Sequence, residues 1–332
     1  WLLFLFQKCA FCRNRKRLYH PCKLRLQQKY ICHRRISALC PSFKLLIILP
    51  MKTLGEQTQR TMQNDLKGQL TVHSDEQTIG KVDVGEEDSV NALHLPVLYQ
   101  DEHIIAIEKP PGLLVHRSPI DRHETVFAVQ TLRDQIGQHV YPAHRLDRPT
   151  SGVLVFSFSS EIAAKLGQQM MDKQVVKTYH AIVRGFVHHT GYIDYALKYR
   201  YDKIADKHKR PQQPPQPAST MYQSVAKFEV PEPVGKYQSA RYSLVKLSPS
   251  TGRKHQLRRH MVHIRHPIIG DTTHGDGKQN KFAKQHFNFN NLALSCTQMG
   301  FSHPITGKWV TINSQMHGEM RLWLEKLAPF CV

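Results

Sequence analysis

The chain has 332 residues, 40% of them hydrophobic, and carries 46 Lys and Arg against 26 Asp and Glu, a formal net charge of +20. The apolar fraction is enough to build a core, and the basic excess points to a polyanionic partner, nucleic acid before an anionic membrane surface. Apolar runs at residues 2–6 and 45–49 fall far short of the ~20 residues of a membrane span. The first of them lacks the basic lead and the cleavage site of a signal peptide, so a cytoplasmic protein with no membrane partner is expected.

The charge is unevenly placed. Residues 1–50 hold eleven bases and no acid, residues 51–94 four bases and eight acids, and the remainder keeps a net +13. Five of the seven cysteines, Cys9, Cys12, Cys22, Cys32 and Cys40, also lie in the first segment. Cys9 and Cys12 form one close pair, but Cys22 and Cys32 do not form the second that a zinc knuckle requires, and no metal site is expected. The chain begins with Trp1 and its first methionine is Met51. Residues 1–50 are therefore expected to be upstream sequence from a misassigned start, without a fold of their own. Residues 51–94 read as an acidic, flexible lead-in.

From Leu95 the pattern becomes globular. Residues 97–100 and 104–107 flank Asp101-Glu102-His103 as the strands of a hairpin. Val126, Val129, Leu132 and Ile136 keep helical spacing, with Gly137 as the stop. A strand over 153–158 follows the turn chemistry of Thr150-Ser151-Gly152. Ser160 is placed to cap a helix that aligns Ile162, Leu166 and Met170. Strands are expected over 178–183 and 242–247, separated by a Pro- and Gln-rich insertion at 208–217. Leu257, Met261 and Ile264 mark a helix whose other faces are basic, and Met320, Trp323, Leu324 and Leu327 mark a closing helix. Strands and helices that mix without regular alternation argue for α+β.

Chemistry concentrates in four segments. Residues 144–152, His-Arg-Leu-Asp-Arg-Pro-Thr-Ser-Gly, hold Asp147 between basic residues at the mouth of an apolar strand. Catalytic groups tend to sit on such loops, although Asp147 alone reads equally as a surface ion pair in a turn. Lys109-Pro-Pro-Gly112 with His116 is by itself a turn. Lys177-Thr-Tyr179 enters a strand, where a Tyr is ordinarily a packing residue. Residues 251–260, Thr-Gly-Arg-Lys-His-Gln-Leu-Arg-Arg-His, form a basic helix suited to solvent or to phosphates.

Taken in chain order, the segments resemble the RluA-type pseudouridine synthases over residues 95–329. The resemblance implies an α+β pseudouridine synthase fold, with a mixed, mainly antiparallel central sheet flanked by helices and loops. It implies Asp147 as the catalytic residue and Arg258 as its ion-pair partner, since an adjacent guanidinium favours the ionised carboxylate. Tyr179 would pack on the target base as a candidate general base, a role for which its phenol needs a positive field. Leu257 would pack against the base, and Arg145 would enter the space that the base vacates on flipping. Lys109, with His116 beside it, would hold either substrate phosphate or a neighbouring loop. His144, Arg253 and Lys254 complete the substrate-binding set.

The implied reaction cuts the N1-glycosidic bond of a uridine, turns the uracil and rejoins it through C5, with no cofactor. Asp147 would either attack C1′ or assist loss of uracil to a glycal-type intermediate, with Tyr179 as proton acceptor. Residues 99–102, 116–118, 132–139, 202–207 and 258–260 resemble the branch of the family whose substrate is uridine 65, at the end of the T-stem of tRNA. A tRNA partner and a monomer with no obligate protein partner are expected. Ribosomal RNA is the alternative substrate, and a non-catalytic RNA-binding protein the alternative class. A metal-dependent hydrolase built from the 21 histidines has no evident ligand spacing to support it. Three positions, in two elements, depart from the family pattern. Ser295-Cys296 replace His-Ala, and Gly270-Asp-Thr-Thr-His-Gly275 carries His274 where the family has Tyr.

Overall fold

A computed structural model describes residues 93–117, 123–199 and 214–332. The expectations for residues 1–50 and for nearly all of 51–94 lie outside them, as does most of the 208–217 insertion. Its end is described, and Gln216 bridges to Leu197.

Strands β1 (Val97–Gln100) and β2 (Ile104–Lys109) form the expected antiparallel hairpin. Asp101 sets the turn, because its Oδ1 accepts from the amides of both His103 and Ile104 at 2.8 Å. Helix α1 (Ala128–Ile136) ends, as its pattern predicts, at Gly137 with φ 67°. It starts later than the spacing suggested, since Val126 lies outside it and is 47% exposed. The short β3 (Tyr141–Pro142) leads through a loop to β4 (Ser151–Ser157), which is buried at every residue. Helix α2 (Ser160–Met171) is capped by Ser159 and not by Ser160, the Ser159 hydroxyl accepting from the Ile162 amide at 3.3 Å. It buries Ile162 and Leu166.

Four consecutive strands follow: β5 (Val176–Arg184), β6 (Gly191–Asp194), β7 (Ser219–Val230) and β8 (Ala240–Pro249). After them come α3 (Gln256–His263), α4 (Gly277–Phe287), β9 (Leu294–Ser302), β10 (Trp309–Asn313) and α5 (Gly318–Leu327). Ile264 caps α3 from outside, and α5 buries Met320, Trp323 and Leu327 as its pattern predicts. The fold continues past residue 329, because the Val332 amide donates to the Lys227 carbonyl at 3.0 Å.

The strands make one sheet in the order β1-β2-β4-β9-β5-β8-β7-β6, with β10 beside β9 and β3 beside β4. Every pairing is antiparallel except β4 with β9. The result is the mixed, mainly antiparallel α+β architecture expected. The parallel pairing is a seam only two residue pairs long, Ser151 with Ser295 and Gly152 with Cys296. One apolar core lies on the β2–β4 side, around Ile107, Leu132 and Phe156, and a second on the β5–β8 side, around Ile182, Met261 and Trp323. Tyr179 packs against both.

Gly152 explains why Thr150-Ser151-Gly152 enters the strand instead of turning before it. At φ 103° it holds a conformation that other residues rarely adopt, and a Cβ there would sit 2.1 Å from the Cys296 carbonyl oxygen. The glycine lets the two strands meet at the seam. Gly152→Ala combines backbone strain with overpacking and is expected to cost about 3 kcal/mol or more. That corresponds to a fall in Tm of roughly 6–12 °C for a body of this size, readable by calorimetry.

Candidate active site

A cleft of about 520 Å³ opens where β4 and β9 meet. Its walls are the 143–147 loop, the end of α2 with Lys173, Lys177 and Tyr179 on β5, and residues 249–258 entering α3. Asp147 is partly exposed on the loop just before β4.

The loop is pinned from beneath. Lys109 is fully buried, and its Nζ donates to the carbonyls of Pro110 and Leu113 at 2.8 Å and of Arg148 at 3.0 Å. The Gly112 amide donates to the Arg148 carbonyl, the Arg148 Nε donates back to the Gly112 carbonyl, and the Thr150 amide closes on the Asp147 carbonyl. Of the two roles considered for Lys109, the structure therefore selects the loop and rejects phosphate, because three acceptors already occupy its three protons. Burial pushes its amine down to about 7, against the pull of the Asp147 carboxylate. Lys109→Met would leave three carbonyls short of a donor and should cost about 3 kcal/mol, measurable as a lower urea midpoint.

Arg258 reaches Asp147 Oδ2 through Nη1 at 3.5 Å, so the expected pair forms. Its shorter partner is Asp271, however. Nε and Nη2 of Arg258 donate to Oδ2 and Oδ1 of Asp271, both at 2.7 Å, in a bidentate pair that is almost wholly buried. Asp271 Oδ1 also accepts from the amides of Thr273 and His274. Burial alone would raise the Asp271 carboxyl, but Arg258 and these amides outweigh it and hold the carboxyl below its usual range. For Arg258, burial is likewise outweighed by Asp271 and Asp147, which keep the guanidinium charged. A fixed cation thus stands beside Asp147, oriented by a carboxylate that does not face the substrate.

His255 begins α3 at φ 54°, a left-handed conformation that is strained for a non-glycine residue. Its Nε2 lies 3.9 Å from Asp147 Oδ2, and its Nδ1 shares a 2.9 Å hydrogen bond with His274 Nε2. The helix presents Leu257, 7% exposed, to the same cleft.

Tyr179 lies opposite. Burial, then the Cys296 sulfur with which it shares a hydrogen bond, then the Asp147 carboxylate push its phenol well above its ordinary 10. Burial is the largest of these causes, and it works against the deprotonated phenol that a general base there requires. Tyr179 is therefore held as a protonated, donating phenol. Cys296, buried beneath it, is pushed up to about 12, chiefly by burial, and remains a thiol.

His144 lines the cleft and is also tied to the scaffold. Its Nε2 accepts from the Val155 amide at 3.1 Å, and burial drives the imidazole down to about 3, so it stays neutral and holds β4. Arg145 is exposed on the cleft wall, and exposed His116 feels its charge. Arg253 and Lys254 are exposed on the opposite wall, where Arg253 Nε donates to the Pro217 carbonyl at the end of the insertion.

Sequence reasoning passed over Asp271, His255 with His274, and the end of α2, where Met170, Met171 and Lys173 line the cleft. Asp271 had one available signal, an acid directly after the apolar Pro267-Ile-Ile-Gly270. Among the described residues no group of three or more His, Cys, Asp or Glu could hold a metal ion, and no helix is long and apolar enough to cross a membrane.

A half-buried carboxylate beside a fixed arginine, in a basic cleft at the seam of a mixed sheet, defines a catalyst for a polyanionic substrate. A family model described as RNA pseudouridylate synthase matches residues 103–263. The chain belongs to this family and is an isomerase. Among its relatives, the tRNA pseudouridine synthase C of Yersinia pestis is 56% identical over 221 residues, 67% of this chain and 86% of that one. The protein of the same name from Vibrio vulnificus is 54% identical over 236 residues, 71% of this chain and 95% of that one. The solved structure titled human RNA Pseudouridylate Synthase Domain Containing 4 shares the fold with a TM-score of 0.53 at 24% identity, covering 70% of this chain and 93% of that one.

Proposed function

We propose that the protein converts a uridine of tRNA to pseudouridine, that the target is uridine 65 at the end of the T-stem, and that Asp147 carries the reaction. The observation that carries this reading is the Asp147–Arg258 pair at 3.5 Å inside the cleft. The tRNA assignment rests on relatives at 50–56% identity that are named tRNA pseudouridine synthase C. Residues 95–332 act as the catalytic unit, as a monomer in the cytoplasm.

A stacked stem uridine has to leave the helix to reach Asp147, at a cost of a few kcal/mol. Exposed Arg145 is placed to stack in the gap, and Leu257 and the Tyr179 ring sandwich the extruded base. Asp147 acts at the sugar. Attack on C1′ forms an ester to Asp147, breaks the C1′–N1 bond and leaves its electron pair on uracil, which turns and attacks C1′ through C5 as the ester bond breaks and the carboxylate is regenerated. The C5 proton then leaves, and N1 ends protonated. In the glycal route Asp147 instead removes the C2′ proton as uracil leaves, and returns a proton to C2′ when C5 adds to C1′. Burial holds the Tyr179 phenol protonated, which favours it as a packing and donating group over a proton acceptor.

A transcribed tRNA incubated with the protein and mapped for pseudouridine tests the assignment. Modification confined to the T-stem end, and lost when that uridine is replaced by cytidine, is the expected result. Pseudouridine at another position, or only in a ribosomal RNA fragment, would overturn the proposed target.

A further inference from the structure

Arg258 Nη1 and His255 Nε2 both make their nearest approach to the same oxygen of Asp147, Oδ2. Arg258 stands at 3.5 Å from that oxygen and His255 at 3.9 Å, the second too far for a hydrogen bond but near enough for a ring proton to bias how the carboxylate lies. For His255 to present that proton it must sit on Nε2, so Nδ1 must be bare and must accept. The 2.9 Å contact with His274 Nε2 supplies the donor that this requires, since a hydrogen bond between two imidazoles needs one protonated and one bare nitrogen. The rings meet edge to face, with centroids 5.2 Å apart.

We propose that His255 and His274 form a positioning pair, in which His274 fixes the tautomer of His255 and His255 orients the catalytic carboxylate of Asp147. The inference rests on the pseudouridine synthase reading above. The left-handed backbone at His255 fits this role. Strain at a position that does not need it is removed by glycine or by an ordinary helix start, whereas here it turns an imidazole towards the reacting group.

The pair also makes the site sensitive to acid. The charged and titratable groups facing His255 are Asp147 from the loop before β4, Lys254 and Arg258 from its own segment, and Asp271 and His274 from the loop after α3. A proton added to His255 places a second donor opposite His274 Nε2–H and draws Asp147 into a full ion pair. The contact between the rings then has to reverse, and the carboxylate is less available. Burial lowers the His255 imidazole from its ordinary 6.5, opposed by Asp147, which keeps this change on the acid side of neutrality.

The test compares the parent with His274→Phe, His274→Tyr and His274→Gln. Single-turnover rates on tRNA are followed from acid to alkaline pH, with tRNA affinity measured in parallel. The Phe variant removes the donor and should slow the single-turnover rate on the order of 10- to 100-fold, with tRNA affinity unchanged. Tyr and Gln can both donate to Nδ1 and should recover most of the rate, with an altered acid limb. A Phe variant with the parental rate and acid limb would overturn the pair, as would Tyr and Gln variants no better than Phe. Nitrogen-15 NMR of the imidazoles in the folded parent reads the pair without any reaction. His255 protonated on Nε2 and bare at Nδ1 is expected, and the opposite tautomer would refute the proposal even where a variant fails to fold. A parent that makes no pseudouridine yet shows the expected tautomer would instead count against the functional reading alone.

Discussion

Asp147→Asn is expected to bind tRNA as the parent does and to form pseudouridine at least about 10⁴-fold more slowly, some 5.4 kcal/mol of lost transition-state stabilisation. The amide keeps the shape of the carboxylate, so the loop held by Lys109, Gly112 and Thr150 has no reason to move. It lacks the charge that in the proposed reaction attacks C1′ or takes the C2′ proton, and among the described residues no other carboxylate lines the cleft to replace it. On the proposed reading Arg145, Arg253, Lys254 and the basic body around them meet the phosphates, so affinity should survive, and that binding should weaken steeply with salt. Single-turnover rates beside a filter-binding titration check both halves. A variant that loses affinity and rate together would show that Asp147 holds the RNA instead of transforming it.

Asp271→Asn should be the most damaging change outside the reacting groups. It would leave the Arg258 guanidinium buried with Asp147 as its only neighbouring carboxylate, and breaking a buried ion pair in this way costs about 3–5 kcal/mol. The freed arginine would close on Asp147 and pull it out of line, so the rate should fall along with the stability. In the parent, folded Asp271 holds its proton more weakly than the unfolded chain does, whose reference value is 3.8. Its contribution is therefore fully present above that value and is lost as the pH falls through the lower folded value. Urea unfolding at neutral and acid pH should show a large gap between parent and variant at neutrality, narrowing in acid. A gap independent of pH would contradict the charge argument.

The elements that could be read from the sequence carry a local signal of their own. The β1–β2 hairpin announces itself through Asp101, α1 through Gly137, and α5 through the spacing of Met320, Trp323 and Leu327. The missed elements draw their identity from neighbours. Strand β9, Leu-Ser-Cys-Thr-Gln-Met-Gly-Phe-Ser, is buried along most of its length, so its small polar residues do not alternate. A bulge between Ser224 and Ala226 breaks the period of β7. Helix α4 is mostly polar and is defined by the Asp276 cap, which accepts from the Lys278 and Gln279 amides.

The same division runs through the site. Asp147, Tyr179, Leu257 and Arg258 stand in motifs and meet in one cleft. Lys109 carries a group suited to phosphate, and only the folded chain shows that backbone carbonyls have already taken it. Asp271 is thirteen residues from Arg258, and the chain reversal after α3 that joins them is set by packing, with no periodicity to reveal it.

The most direct measurement is release of tritium from C5-labelled uridine in bulk tRNA by the purified protein with EDTA present, beside Asp147→Asn. Release by the parent and none by the variant is the predicted result. Failure of the folded parent to release tritium while still binding tRNA, or equal release by the variant, would contradict metal-free pseudouridine formation through Asp147.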